Sequence, residues 1–233
     1  MNQWVGLAIF GYITMLLSIS LHDAAQAWMA KRLGDPTAAM LGRLTVNPIK
    51  HFDVLGTGIW PLLILFGLHS PLALGWGKQI PVTTRNLKKF RDEMVIFAVG
   101  PVAQFAAAVV CLLVLVILKH ASPLAAGSIG IASQLAQGNL SVPTEGLPGI
   151  FPVVLLLYFG ILVNLLLCVF NLMPLPALDG GKVLRYYLPL NAQRMFDQMG
   201  IYLMFAFFFF GFRVILAVFT PLLVLFHSLL NAL

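Results

Sequence analysis

His22 and Gln26 stand four residues apart at the end of a long apolar segment, with Asp23 between them. On a helix that spacing puts the first two on one face, while Asp23 lies about 100° round. Zinc hydrolases with the pattern H-E-x-x-H use this geometry to hold a metal with two imidazoles and to activate water with the Glu. Here the first imidazole is present, the Glu is Asp23 and the second His is Gln26. Alone, such a trio suits hydrogen bonding across a membrane bundle at least as well. A second constellation lies far downstream, where Asn171-Leu172-Met173-Pro174-Leu175-Pro176 is followed by Asp179-Gly180-Gly181. Pro174 and Pro176 break a helix and free backbone groups, and Asp179 offers a carboxylate ligand or, more plainly, a solvated helix cap.

The departures have a physical cost. A catalytic zinc usually has three protein ligands and a water, and the neutral amide of Gln26 is a poor substitute for imidazole. Asp23 is one methylene shorter than Glu, which moves its carboxylate by more than about 1 Å, and misplacement of that size costs on the order of 10²-fold in rate. His51, with Asp53 beside it, offers a replacement imidazole, with Asp53 orienting the ring. The alternative is that His51 and Asp53 cap the segment that follows them.

These residues need a scaffold inside a membrane. With 60% hydrophobic and 9% charged residues and a mean hydropathy of +0.95, the chain departs from soluble domains, where about 25% of residues are charged. Segments 4–30, 94–118, 151–173 and 198–231 are long enough to cross a bilayer. The first has no basic residue before it, so it reads as a retained helix. In the last, Gly211, Arg213 and Pro221 predict a crossing followed by a second, tilted or interfacial helix. The run Phe207 to Phe210 reads as packing or lipid-facing surface. Cys111 and Cys168 lie in apolar runs and behave as small hydrophobes, while His69, His120 and His227 mark segment ends or packing positions.

Val54 to Leu68 is too short to cross, at roughly 22 Å against a core of about 30 Å. If it re-enters and returns, twelve of the fourteen Lys and Arg residues fall on one face, which the positive-inside rule makes cytoplasmic. The basic residues thus mark membrane flanks, with no aromatic and basic platform for nucleic acid. Between the first crossing and this re-entrant stretch, the Gly and Asp-Pro punctuation of 34–46 predicts a small β-hairpin. The extended piece Gln79 to Val82 could pair near it as an edge for an unwound substrate.

With both constellations in view, the chain resembles the site-2 protease family of intramembrane zinc metalloproteases, in its compact branch without a PDZ or CBS domain. The resemblance also rests on Gly42 to Asp53, on Gly75-Trp76-Gly77-Lys78-Gln79-Ile80-Pro81-Val82 and on Gly100-Pro101. It implies one membrane domain over 1–233: an all-α polytopic protein of four to six transmembrane helices with the hairpin and the re-entrant segment. It implies one zinc ion, held by His22 and Asp179 with Gln26 or His51 at the remaining position, and Asp23 in place of the general base. It implies that Asn171 and Pro174 help hold an extended substrate, and that Gln104 replaces a customary Asn in the surrounding layer. The expected activity is hydrolysis of transmembrane or membrane-proximal peptide segments at a prokaryotic cell membrane, with the site facing the cytoplasm. The rival expectation is an inactive adaptor that binds transmembrane clients.

Overall fold

The computed structural model describes residues 3–89 and 91–233, apart from the side chains of Ile201, Met204, Phe205, Phe208, Phe209, Phe210 and Phe212. The expectation for the phenylalanine run can therefore be followed only at Phe207, whose ring packs 6.1 Å from that of Phe170. Besides a 3₁₀ turn at Thr84–Asn86, ten helices follow one another among the described residues: α1 (Gln3–Leu33), α2 (Thr37–Met40), α3 (Pro48–His51), α4 (Val54–Gly67), α5 (Arg91–Ala121), α6 (Pro123–Ala136), α7 (Phe151–Asn171), α8 (Asp179–Tyr187), α9 (Leu190–Gln198) and α10 (Gly200–Ala232). Four are long and apolar enough to cross a membrane: α1, α5, α7 and the Arg213–Ala232 part of α10.

The core forms around α7, which is apolar on nearly every side and so is buried on nearly every side. It packs against α1, α5, α6 and α10, with Tyr158, Phe159, Ile161, Leu162, Leu165 and Leu167 enclosed. α1 turns a small and polar face inward through Ala8, Thr14, Ser18, Ser20, Ala27 and Ala30. Small side chains permit close helix approach in lipid, where packing takes over from the hydrophobic effect. Thr14 and Ser20 donate to the Phe10 and Leu16 carbonyls, each at 2.7 Å, and so satisfy their hydroxyls within the helix. Cys111 and Cys168 are free thiols in this packing.

Three expectations change. The hairpin does not form, and no strand occurs among the described residues. Instead Thr37-Ala38-Ala39-Met40 makes a helical turn, because alanine favours helix and the Asp35 carboxylate accepts from the Thr37 amide at 3.1 Å. Gly34 and Gly42, at φ of 110° and 70°, then turn the chain. Second, Gln79 to Val82 has no regular secondary structure and belongs to no strand. Third, Gly211, Arg213 and Pro221 do not divide α10, which runs unbroken from Gly200 to Ala232. A proline removes one donor from a membrane helix, a loss that neighbouring groups and local adjustment absorb.

α4 is a short, irregular helix with π-helical turns either side of Trp60–Leu62, roughly 21 Å long and so too short to cross. It begins at Asp53, near the end of α1 that carries His22. By His69 the chain has reached the other end of α1, where the His69 ring lies 5.8 Å from that of Trp4. It then comes back without regular structure until the Lys78 amide donates to the His51 carbonyl at 2.9 Å.

Asp35 fastens the connection after α1 to the segment preceding α5. Its carboxylate accepts from the Thr83 amide at 2.7 Å and from Asn86 Nδ2 at 2.9 Å, as well as from Thr37. Burial pushes this carboxyl up, but hydrogen bonds from Thr37, Asn86 and Thr83 outweigh it and hold the group below its ordinary range. A depressed carboxyl stabilises the fold above its unfolded pKa of about 4 and loses that contribution as the pH falls through the folded value. Asp35→Ala is expected to cost about 2 kcal/mol at neutral pH. Wild type and Asp35→Ala should converge in thermal unfolding midpoint as the pH is taken below about 4.

Candidate metal centre

Two helix ends meet at one cavity. α1 supplies His22, Asp23 and Gln26, all buried, and α8 begins with Asp179, buried too. His22 Nε2 lies 2.6 Å from Asp179 Oδ2, and Gln26 Nε2 donates to that same oxygen at 2.9 Å. Gln26 Nε2 and His22 Nε2 are 3.5 Å apart. These groups line a cavity of about 230 Å³ together with Trp76, Gly77, Asn171 and Lys182.

Asp179 reaches this point because the chain after α7 folds tightly beneath it. The Leu172 amide donates to the Cys168 carbonyl at 3.0 Å, and the Leu178 amide to the Leu175 carbonyl at 2.9 Å. α8 then starts against that turn so closely that a Cβ at Gly181 would run into the Leu175 carbonyl. The Asp-Gly-Gly sequence is thus a packing requirement as well as a source of a carboxylate. Asn171 lines the cavity, whereas Pro174 is exposed and does not.

Opposite them stands α5, where Gly100 faces the site. A Cβ there would lie 2.6 Å from His22 Cδ2 and 2.8 Å from Gln26 Nε2, well inside van der Waals contact. Gly100→Ala is expected to push both side chains off their common point and to weaken metal retention by about 10- to 100-fold, as disturbed supporting contacts do. Zinc titration of the purified variant against wild type measures it.

Asp23 takes a position its spacing did not reveal. Its Oδ1 lies 3.0 Å from His22 Nδ1, the ring nitrogen facing away from Asp179. Its Oδ2 lies 3.1 Å from His51 Nδ1 and accepts from an Arg43 guanidinium nitrogen at 3.4 Å. Both oxygens are engaged behind the imidazole. The His22 ring thus stands between two carboxylates, Asp23 at its Nδ1 and Asp179 at its Nε2.

His51 is 1% exposed, and its two ring nitrogens face Asp23 Oδ2 and, at 2.6 Å, the Thr45 carbonyl. It is held there because Asn47 caps α3, accepting from the Ile49 amide at 3.0 Å, with Pro48 at the first helical position. Asp53 makes no contact of the kind expected with His51; it caps α4, accepting from the Leu55 and Gly56 amides at 3.0 and 2.7 Å. Gln104 does join the surrounding layer. Its Oε1 accepts from Asn171 Nδ2 at 3.1 Å, and its Nε2 donates to Ser18 Oγ at 3.3 Å, which in turn donates to Asn164 Oδ1 at 2.8 Å.

Two cations complete the cluster without having been singled out from the sequence. Arg43, nearly buried, also donates to the Lys78 carbonyl. Lys182 places its ammonium 3.9 Å from Asp179 Oδ1 and 4.0 Å from the centre of the Phe97 ring. Burial holds this ammonium below the usual lysine range against the pull of Asp179, Asp23 and Glu93. The Asp179-x-x-Lys182 spacing on a helix was a legible signal for that pair.

As a metal site the donors are two thirds right. Imidazole and carboxylate suit zinc, and both point at one position. Among the described residues, however, no three His, Cys, Asp or Glu side chains form a metal-ligand group. The third group is the carboxamide of Gln26, which turns its Nε2 to Asp179, whereas a metal takes a carboxamide through its oxygen.

The profile of peptidase family M50 matches residues 10–212. "Putative zinc metalloprotease YwhC" of Bacillus subtilis (strain 168) is 34% identical over 212 residues, covering 90% of this chain and 80% of that protein. "Putative zinc metalloprotease Rip2" of Mycolicibacterium smegmatis (strain ATCC 700084 / mc(2)155) is 25% identical over 193 residues, and the match covers 82% of this chain and 62% of that relative. No solved structure gives a significant match.

Proposed function

Because this chain belongs to peptidase family M50, we propose that it is an integral membrane metalloendopeptidase, one domain over 1–233, acting on transmembrane or membrane-proximal peptide segments with reduced catalysis. The observation that carries the reading is the convergence of His22 Nε2, Asp179 Oδ2 and the Gln26 amide on one point, from α1 and α8. His22 and Asp179 would hold one zinc ion, with the carbonyl oxygen of Gln26 as the only atom of that amide able to serve as a third donor. Bound zinc supplies a polarised substrate carbonyl and an acidified water.

The chain's own residues orient and enclose. Asp23 holds the His22 ring by its far nitrogen, as carboxylates commonly do behind metal-bound imidazoles. Asn171 presents an amide at the cavity wall to an extended substrate backbone, steadied by Gln104. The unstructured return through Trp76 and Gly77 forms the opposite wall. The path of α4 and that return, out to Trp4 and back to His51, supports a re-entrant segment inside the bilayer. The distribution of basic residues supports a cytoplasmic site in a prokaryotic membrane.

One observation favours a second reading, an inactive adaptor that binds transmembrane clients. The group in the general base's place, Asp23, has both oxygens committed to His22, His51 and Arg43. Metal analysis of the gently extracted chain separates the two. A protease retains zinc in wild type and loses it in His22→Ala and Asp179→Ala. Wild type without zinc, or variants that retain it equally, would leave only the adaptor.

A further inference from the structure

A larger cavity, of about 600 Å³, lies at the end of the bundle away from His22, bordered by α5, α6, α7 and α10. Lys119 at its edge is about 28 Å along α5 from Gly100, the residue that touches the metal centre. α6 and α10 both pack on α7 and leave this gap between them.

The two helices turn polar groups into the gap. On α10, Thr220, His227, Ser228 and Asn231 line it, spaced so as to share one helix face. Ser133 and Gln134 on α6, with Gln137 just past its end, line it from the other side. Elsewhere on the same part of α10, Leu216, Val218, Leu225 and Leu229 are exposed, as suits a surface against acyl chains. Part of this lining is paired within the protein: Ser133 Oγ donates to the Gly130 carbonyl at 2.9 Å, Gln137 Nε2 to the Ser133 carbonyl at 3.1 Å, and His227 Nδ1 lies 3.3 Å from the Tyr158 hydroxyl. Thr220, Ser228 and Asn231 are the polar groups that α10 adds to the gap, and polar groups on an apolar helix are stable where they find partners.

The charge of the cavity indicates what that partner is. Among the described residues lining it, Lys119 is the only charged side chain, and no carboxylate is present. Lys119 Nζ donates to the Leu230 and Asn231 carbonyls at 2.9 and 3.0 Å. Those bonds hold the ammonium at the cavity edge and leave one of its three protons for a ligand. Hydroxyl and amide donors beside one cation, with no competing anion, suit a phosphate group. The volume lies within the range of small-molecule sites.

We propose that this cavity binds the phosphate-bearing headgroup of a phospholipid, with Lys119 at the phosphodiester and the acyl chains lying along the apolar surface of α10. The site is separate from the metal centre and does not depend on catalysis. The test is native mass spectrometry of the full-length chain, delipidated and titrated with dioleoyl phosphatidylglycerol. Dioleoylglycerol, which has the same tails without phosphate, and inorganic phosphate are the comparators. Retention of the phospholipid should fall about tenfold in Lys119→Gln and in Ser228→Leu, which fills the cavity without touching the helix end. It should be unchanged in Lys50→Gln, an exposed position on α3, and dioleoylglycerol should be retained at least about tenfold less. Undiminished retention in both cavity variants, or equal retention of dioleoylglycerol, overturns the proposal. So does inorganic phosphate binding as tightly as the lipid, which would make this a free-phosphate site.

Discussion

Gln26→His should raise zinc affinity by at least about 100-fold, because altering groups that merely support a ligand already shifts affinity by 10- to 100-fold and here a ligand itself is exchanged. The position is ready for an imidazole. Gln26 already points at Asp179 Oδ2, at 2.9 Å, beside His22 Nε2, and Gly100 leaves space there. Hydrolysis should not return with the metal. Asp23 keeps both carboxylate oxygens on His22, His51 and Arg43, so it is not free to take a proton from water. Peptide cleavage in the single variant is expected to stay about 10²-fold below that of Gln26→His with Asp23→Glu, by the cost of a misplaced catalytic group. Zinc titration and cleavage of a membrane-inserted peptide report the two effects separately. Equal zinc affinity in wild type and Gln26→His would remove position 26 from the metal site.

Arg43→Leu should destabilise the fold by about 3 kcal/mol, the lower end for breaking a buried ion pair, since the contact with Asp23 is long. Arg43 and Asp23 are 6% exposed each, and their separation is 3.4 Å. The leucine would leave the Asp23 carboxylate with only the two imidazoles and the Lys78 carbonyl without its donor. The thermal unfolding midpoint in detergent should drop by on the order of 10 °C. Arg43→Lys, which keeps the charge but not the planar fork, should recover part of it. No change in midpoint would mean that Asp23 is adequately held by His22 and His51 alone.

Much of the fold could be read from the chain because membrane helices need long apolar runs, and those runs are unmistakable at this composition. α1, α5 and α7 lie where the hydropathy places them. The loops were harder. The residues of 34–46 fit a hairpin by punctuation, yet the Asp35 carboxylate accepts from the Thr37 amide at the start of a helical turn there, a local hydrogen bond that turn residues alone do not announce. Asn47-Pro48 carried a readable helix start, cap then proline, and that signal explains how α3 holds His51.

At the site, the sequence by itself determined which groups could take part: helical spacing set His22 and Gln26 on one face, and the proline-broken end of α7 made Asp179 the natural carboxylate. Only the tertiary structure decided which way each group turns. Asp23 faces the back of the imidazole because Arg43 and His51, distant in sequence, attract it there, and His51 bonds Asp23 and Thr45. A side chain's periodicity is a property of its own helix, whereas the direction of a buried charge is set by the partners that other segments bring to it.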